Sequence, residues 1–272
     1  MSSASARPAR PTITELREIT QPPAIRGRRT AEHWTGDLYM RRISPYLTRL
    51  LVRAGLSANA VTAVMIVCGS AAGFALLVPG VWGAVLAVLL TQLQMLFDAS
   101  DGEVARWRGT SSPLGVFLDK VGHYLAESLI PLGLGMRAAG GLDDVLDGDG
   151  FGWTTLGALL AVLILLNKAL NDMVHVARAN AGLAKLVDKR DATTAPSGSR
   201  LARLRRLARF LPFHRLYHSV ELTMLAFAMA LVGLVIGHPL SDRILVGALL
   251  PLSVLALVGH FVAIMASKRV RA

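Results

Sequence analysis

A chain of 272 residues, 53% of them hydrophobic, with a mean hydropathy of +0.49, is too apolar for a water-soluble domain and points to membrane-spanning helices. Its net charge of +11 suits an anionic membrane surface as well as nucleic acid; the apolar runs decide for the membrane, and without an RNA- or DNA-binding motif no nucleic-acid partner is expected. The single cysteine, Cys68, lies inside an apolar run, which excludes a disulfide framework.

Residues 1–29 are rich in Ser, Ala, Pro and Arg and lack the apolar core of a secretory signal. Prolines at 8, 11, 22 and 23 argue against an amphipathic helix, so a flexible basic tail is predicted there. Over 30–57, Leu38 to Ile43 and Tyr46 to Arg53 mix apolar and Arg positions, which predicts an amphipathic helix lying on the anionic leaflet. Residues 58–272 form the membrane domain. A spanning helix needs about 20 mostly apolar residues, and six stretches qualify. The first runs from Ala58 to Val78, opening on Asn59-Ala-Val-Thr62 and closing at a Pro79-Gly80 turn. The second runs from Val81 to Asp98.

At the junction of the second and third spans stands Asp98-Ala-Ser-Asp101-Gly102-Glu-Val-Ala105-Arg106, followed by Gly115-Val-Phe-Leu-Asp119-Lys-Val-Gly-His123. Asp98 and Asp101 are three apart and share a helix face; Asp119 and His123 are four apart and share another. Two such faces turned toward each other make an oxygen-rich pocket for hard divalent cations, of the kind that holds phosphates. The third span runs from Pro113 to Leu134. Glu127 continues the row of Asp119 and His123 by one more turn. It reads either as a carboxylate that orients the His123 imidazole or as one bonded to a neighbouring helix for structure alone.

The fourth span covers Trp153 to Val174, the fifth Ser219 to Ile236 and the sixth Ile244 to Ala266. The fourth ends in a polar stripe, Lys168, Asn171, Asp172, His175 and Arg178; the fifth is preceded by His214, Arg215 and His218, with Glu221 just inside it. Polar rows within spans face cavities or pair helices, and Lys168, Arg178 and Arg215 would suit an anionic substrate. His33 and His260 are isolated and receive no role. Positive charge collects before the first span, at Lys185 to Arg209 and at Lys268 to Arg271, whereas Asp143, Asp144, Asp147 and Asp149 lie between the third and fourth. With six spans the positive-inside bias puts both termini, and the Asp98–His123 motif, on the cytoplasmic side of a cell inner membrane.

The motif resembles the signature of the CDP-alcohol phosphotransferase family, D-x2-D-G-x2-A-R-x8-G-x3-D-x3-D, at every fixed position but the last, where the family has Asp and this chain has His123. The resemblance implies a membrane enzyme in which an alcohol attacks the β-phosphate of a CDP-linked donor, forming a phosphodiester and releasing CMP. It implies Asp98, Asp101 and Asp119 as ligands of Mg2+ or Mn2+, two ions in the family, with the second left open by His123. It implies Gly102 and Ala105 as small residues that let the nucleotide approach, Arg106 as a phosphate fork, and Gly115 as the contact that lets the third span pack on the second. His123, a proton acceptor near neutral pH, inherits the role of general base beside Asp119. The expected donor is CDP-diacylglycerol, the expected acceptor a polyol or polyol phosphate bound by Lys168, Arg178 and Arg215, and the reading admits a homodimer. Two readings compete: a non-catalytic relative disabled at His123, and a small transporter using the polar stripes.

Overall fold

The computed structural model describes residues 8, 10–22, 39–148, 150–184, 217–267 and 270. Among these there is no strand; the helices are α1 (Ile13–Thr20), α2 (Arg41–Arg53), α3 (Ala58–Ala75), α4 (Gly80–Arg108), α5 (Pro113–Ala139), α6 (Leu142–Leu146), α7 (Phe151–Asn180), α8 (Ser219–Ile236) and α9 (His238–Met265). Five of them, α3, α4, α7, α8 and α9, are long and apolar enough to cross a membrane. The chain is therefore a multi-pass helical membrane protein, and Trp82, Val235 and Leu255 expose apolar side chains of the sort lipid covers. The stretch expected as the third span is the helix α5, with 27 residues long enough to cross, but Asp119, Lys120, His123, Glu127 and Arg137 lower its apolar character and it is not one of the five. Lys185 to Arg209, His214, Arg215, His33, Asp149 and the basic residues 268, 269 and 271 lie outside the described residues.

Two compact units make up the chain: Met1–Gly69 with Leu90–His123, and Ser70–Leu89 with Tyr124–Ala272. In the first, the expected flexible tail contains α1. Thr12 caps it: the Thr12 hydroxyl accepts from the Glu15 N–H, and the Glu15 carboxylate accepts from the Thr12 N–H, a capping box. Pro11 precedes the cap and Pro22 follows the last turn, so the prolines bound this helix and do not break it. The Thr12 N–H also holds the Glu15 carboxyl below its ordinary range. Leu16, fully buried, joins Leu51, Val52, Val61, Val104 and Trp107 in one apolar core. Over α2, Ser44, Thr48, Leu51 and Val52 are buried, while Arg42, Ile43, Tyr46, Leu50 and Arg53 are exposed.

In the second unit α9 packs against α7 and α8. The sequence places the start of its last span at Ile244, but α9 begins at His238, after Gly237 turns the chain at φ +94°. Within this start Ser241 and Asp242 are buried, and Asp242 forms an ion pair with Arg137, with 2.9 Å between Nε and Oδ2 though without hydrogen-bond alignment. Arg137 also donates to the carbonyls of Val78 and Gly80, at the turn between α3 and α4. α5 and α7 meet backbone to backbone at Gly135 and Gly157: a Cβ on either would stand 2.6 Å from the other's Cα.

Candidate active site

α4 ends at Arg108 because Gly109 takes φ +68°, and the Thr110 N–H returns to the Ala105 carbonyl at 3.0 Å, a Schellman closure. The Ser112 hydroxyl then accepts from the Gly115 N–H at 3.1 Å and starts α5. This short reversal brings the motif's two halves together. His123 Nε2 stands 3.2 Å from Asp98 Oδ1 and 3.5 Å from Asp119 Oδ1, all three side chains half-buried. One ligand atom from each of the three lies within 4.8 Å of the others.

Asp101 is not one of that trio. Its carboxylate accepts the hydroxyl of Thr62, on α3, at 2.6 Å. Thr62, which the sequence offers only as part of the opening of the first span, is thus a direct partner of the motif. A hydroxyl four residues into an apolar helix was the available signal.

The trio fits a divalent cation. Octahedral ions with ligands at about 2.1 Å place neighbouring donor atoms about 3 Å apart, close to the separations around His123. Two carboxylate oxygens and an imidazole nitrogen suit Mn2+ better than Mg2+, since imidazole is a poor magnesium ligand.

The small residues divide. A Cβ on Gly102 would meet Arg106 Nη1 at 3.0 Å, so this position leaves room for the arginine's own fork. Gly115 meets only ordinary contacts, Asn59 Oδ1 at 3.5 Å and Ser112 Oγ at 3.6 Å; the close helix approach expected of it falls at Gly122, where a Cβ would stand 2.2 Å from Met65 Cε and 2.8 Å from Ile66 Cγ1. Packing here is thus of α5 on α3, set by a glycine outside the signature. Ala105 is half-buried on α4. Arg106 Nε donates to the Thr20 carbonyl at 2.7 Å.

Glu103, a variable place in the signature, was missed. It is fully buried and accepts from Gln21 at 2.8 Å, Ser44 at 2.6 Å and Thr48 at 2.6 Å. Its partners lie 55 to 82 residues away in sequence, which is why no local pattern announces them.

In the second unit, buried Glu127 accepts from Lys168 Nζ at 2.8 Å and lies 3.1 Å from His218 Nδ1. The Tyr124 hydroxyl donates to Asp172 at 3.0 Å, and Lys168 Nζ stands 5.4 Å from the Tyr124 ring centre. Arg178 donates to the Ala184 carbonyl and so closes the end of α7. His260, given no role by sequence, pairs with Asn167 at 2.9 Å. Arg215 lies outside the described residues.

A sequence profile of the family described as CDP-alcohol phosphatidyltransferase matches residues 56–266. Among curated proteins, the archaetidylinositol phosphate synthase of Aeropyrum pernix is 38% identical over 93 residues, 34% of this chain. The matched segment spans 46% of that relative's length.

Proposed function

Because the chain belongs to the CDP-alcohol phosphatidyltransferase family, we propose that it is a phosphotransferase that moves a phosphatidyl group from CDP-diacylglycerol to a hydroxyl of a polyol or polyol phosphate, releasing CMP. The observation that carries this reading is the convergence of Asp98, Asp119 and His123 at the helix reversal the family signature spans. The name of the relative, which makes an inositol phosphate lipid, agrees with a phosphorylated polyol as acceptor.

In the proposed reaction the acceptor oxygen bonds to the donor's β-phosphorus as the phosphorus–oxygen bond to CMP breaks. His123 takes the acceptor's proton through Nδ1, while its other ring nitrogen, Nε2, faces the carboxylates of Asp98 and Asp119 and the cation they would hold. Asp98, Asp119 and Asp101 would hold Mg2+ or Mn2+, with the second of the family's two ions left open by His123; when bound, the metal would neutralise the pyrophosphate and stabilise the leaving group. Thr62 fixes the Asp101 carboxylate. Arg106 pairs with a phosphate of the donor. Lys168, Arg178 and Arg215 are our candidates for the acceptor's phosphate, supported by their charge; Arg178→Ala should then raise the acceptor KM more than the donor KM.

The same reading makes α5 a span as well, for six in all, lays the exposed Arg42, Ile43, Tyr46, Leu50 and Arg53 of α2 on the anionic leaflet, and puts both termini on the cytoplasmic side of the inner membrane. The test is CMP release by detergent-purified protein given CDP-diacylglycerol, Mn2+ or Mg2+ and a panel of polyols and their phosphates, with products identified by mass spectrometry. No CMP release with any acceptor, and release by His123→Asp, would make the chain a disabled relative.

A further inference from the structure

We propose that α1 is a positioning element for the motif arginine: the Thr20 carbonyl, held in place by the Gln21–Glu103 contact, aims the Arg106 fork across Gly102 toward Asp98. This rests on the reading of Arg106 as the donor's phosphate partner. The α-helix advances about 100° per residue, so Asp98, Gly102 and Arg106, four apart in succession, form one ridge of α4. Side chains on a helix lean toward its N-terminus, so Arg106 reaches back over Gly102 along that ridge. It is seen there, with Nη1 3.0 Å from the point a Gly102 Cβ would occupy.

An arginine has several rotatable bonds, and its fork is useful only if fixed. The Thr20 carbonyl supplies the fixing point, accepting from Nε at 2.7 Å, which leaves the two terminal nitrogens on the Gly102 side. That carbonyl is the last of α1, where intrahelical partners run out, so it is available to an arginine. Three contacts hold α1 there. Leu16 is fully buried in the core with Val104 and Trp107 of α4. Gln21 donates to Glu103 at 2.8 Å and to the Arg41 carbonyl at 2.9 Å. The Arg17 guanidinium lies 5.9 Å from the Tyr46 ring centre. Glu103 and Arg106 are one turn apart on α4, so the contact that seats Gln21 also seats its neighbour Thr20 over the arginine. Residues 13–21 lie outside the span 56–266 that the family profile matches.

The experiment uses the full-length protein with Gln21→Ala, Leu16→Asp, Arg106→Ala and the two double variants that add Arg106→Ala, with Glu18→Ala on the exposed side of α1 as control. Two readouts are taken: steady-state kinetics against CDP-diacylglycerol, and the rate at which phenylglyoxal modifies Arg106, followed by mass spectrometry. Gln21→Ala and Leu16→Asp should raise the donor KM about tenfold with kcat little changed, and should add nothing once Arg106 is alanine. Arg106 should be modified several times faster in both single variants and at the wild-type rate in Glu18→Ala. Effects that persist in full in the Arg106→Ala background, or modification of Arg106 at an unchanged rate in Gln21→Ala, would overturn the proposal. If the wild type transfers nothing, the proposed activity fails, and the modification rates still decide whether α1 holds Arg106.

Discussion

His123 Nε2 lies between the carboxylates of Asp98 and Asp119, 3.2 Å from one and 3.5 Å from the other, so a single imidazole nitrogen joins the two halves of the motif. The family has a carboxylate at that place, and the exchange sets up the sharpest test of the site. His123→Ala should slow transfer by about a hundredfold or more, the usual scale for loss of a positioned base. His123→Asp should keep activity and shift the metal preference from Mn2+ toward Mg2+, because a hard oxygen replaces a nitrogen. Wild-type turnover by His123→Ala would reduce His123 to a packing residue.

Cation binding has a readout independent of turnover. Mn2+ should raise the unfolding temperature of the detergent-purified protein, as any ligand of the folded state does, and a chelator should reverse the effect. Asp98→Asn and Asp119→Asn should each remove the shift and abolish transfer. Retention of both the shift and activity within about tenfold, a barrier change of about 1.4 kcal/mol, would exclude these two carboxylates as ligands.

Glu127→Ala leaves Lys168 and His218 without the carboxylate they share. Removing one partner of a buried ion pair costs about 3–5 kcal/mol, so this variant should unfold at markedly lower temperature or denaturant. Glu127→Gln, which keeps the shape and an acceptor oxygen, should lose less. Lost transfer at unchanged stability would instead give Glu127 a part in the reaction itself.

Two glycines of α7 should behave oppositely. At Gly157 a Cβ stands 2.6 Å from the Gly135 Cα, whereas at Gly152 nothing lies within 4 Å. Gly157→Leu should destabilise by about 1–3 kcal/mol or more through overpacking, and Gly152→Leu should be neutral. Equal effects would show that α5 and α7 do not meet as described.

Membrane orientation is testable at two described, exposed positions, Glu18 and Asp147. In a Cys68→Ser background, an impermeant thiol reagent applied to intact cells should modify Asp147→Cys and not Glu18→Cys. The opposite pattern would invert the proposed topology.

The reversal carrying Asp98, Asp119 and His123 was legible in the sequence because helix spacing is a local property: residues three and four apart share a face wherever the helix lies. Thr12 and Glu15 carried a local signal for α1, but four nearby prolines argued for a flexible tail; two of them sit just outside the helix ends, where proline is tolerated. Glu103 and Thr62 were not legible, because their partners come from helices far away in sequence and only the folded chain selects them. Gly122 was masked by the better-known place of Gly115. Asp242 fell outside the span expected from Ile244 onward, because its counter-charge, Arg137, lies in another helix.

The bonds from Gln21, Ser44 and Thr48 to Glu103 also bear on how the protein enters the membrane. All three donors are synthesised before the carboxylate they serve, and α3 and the apolar part of α4 separate them from it. Glu103 finds its donors only if both helices cross, or if neither does. A chain in which the translocation machinery inserted one and skipped the other would leave a carboxylate on one side and its three donors on the other. The Glu103 contact is thus a constraint on topology: it is compatible with the first two spans crossing together and incompatible with only one of them crossing.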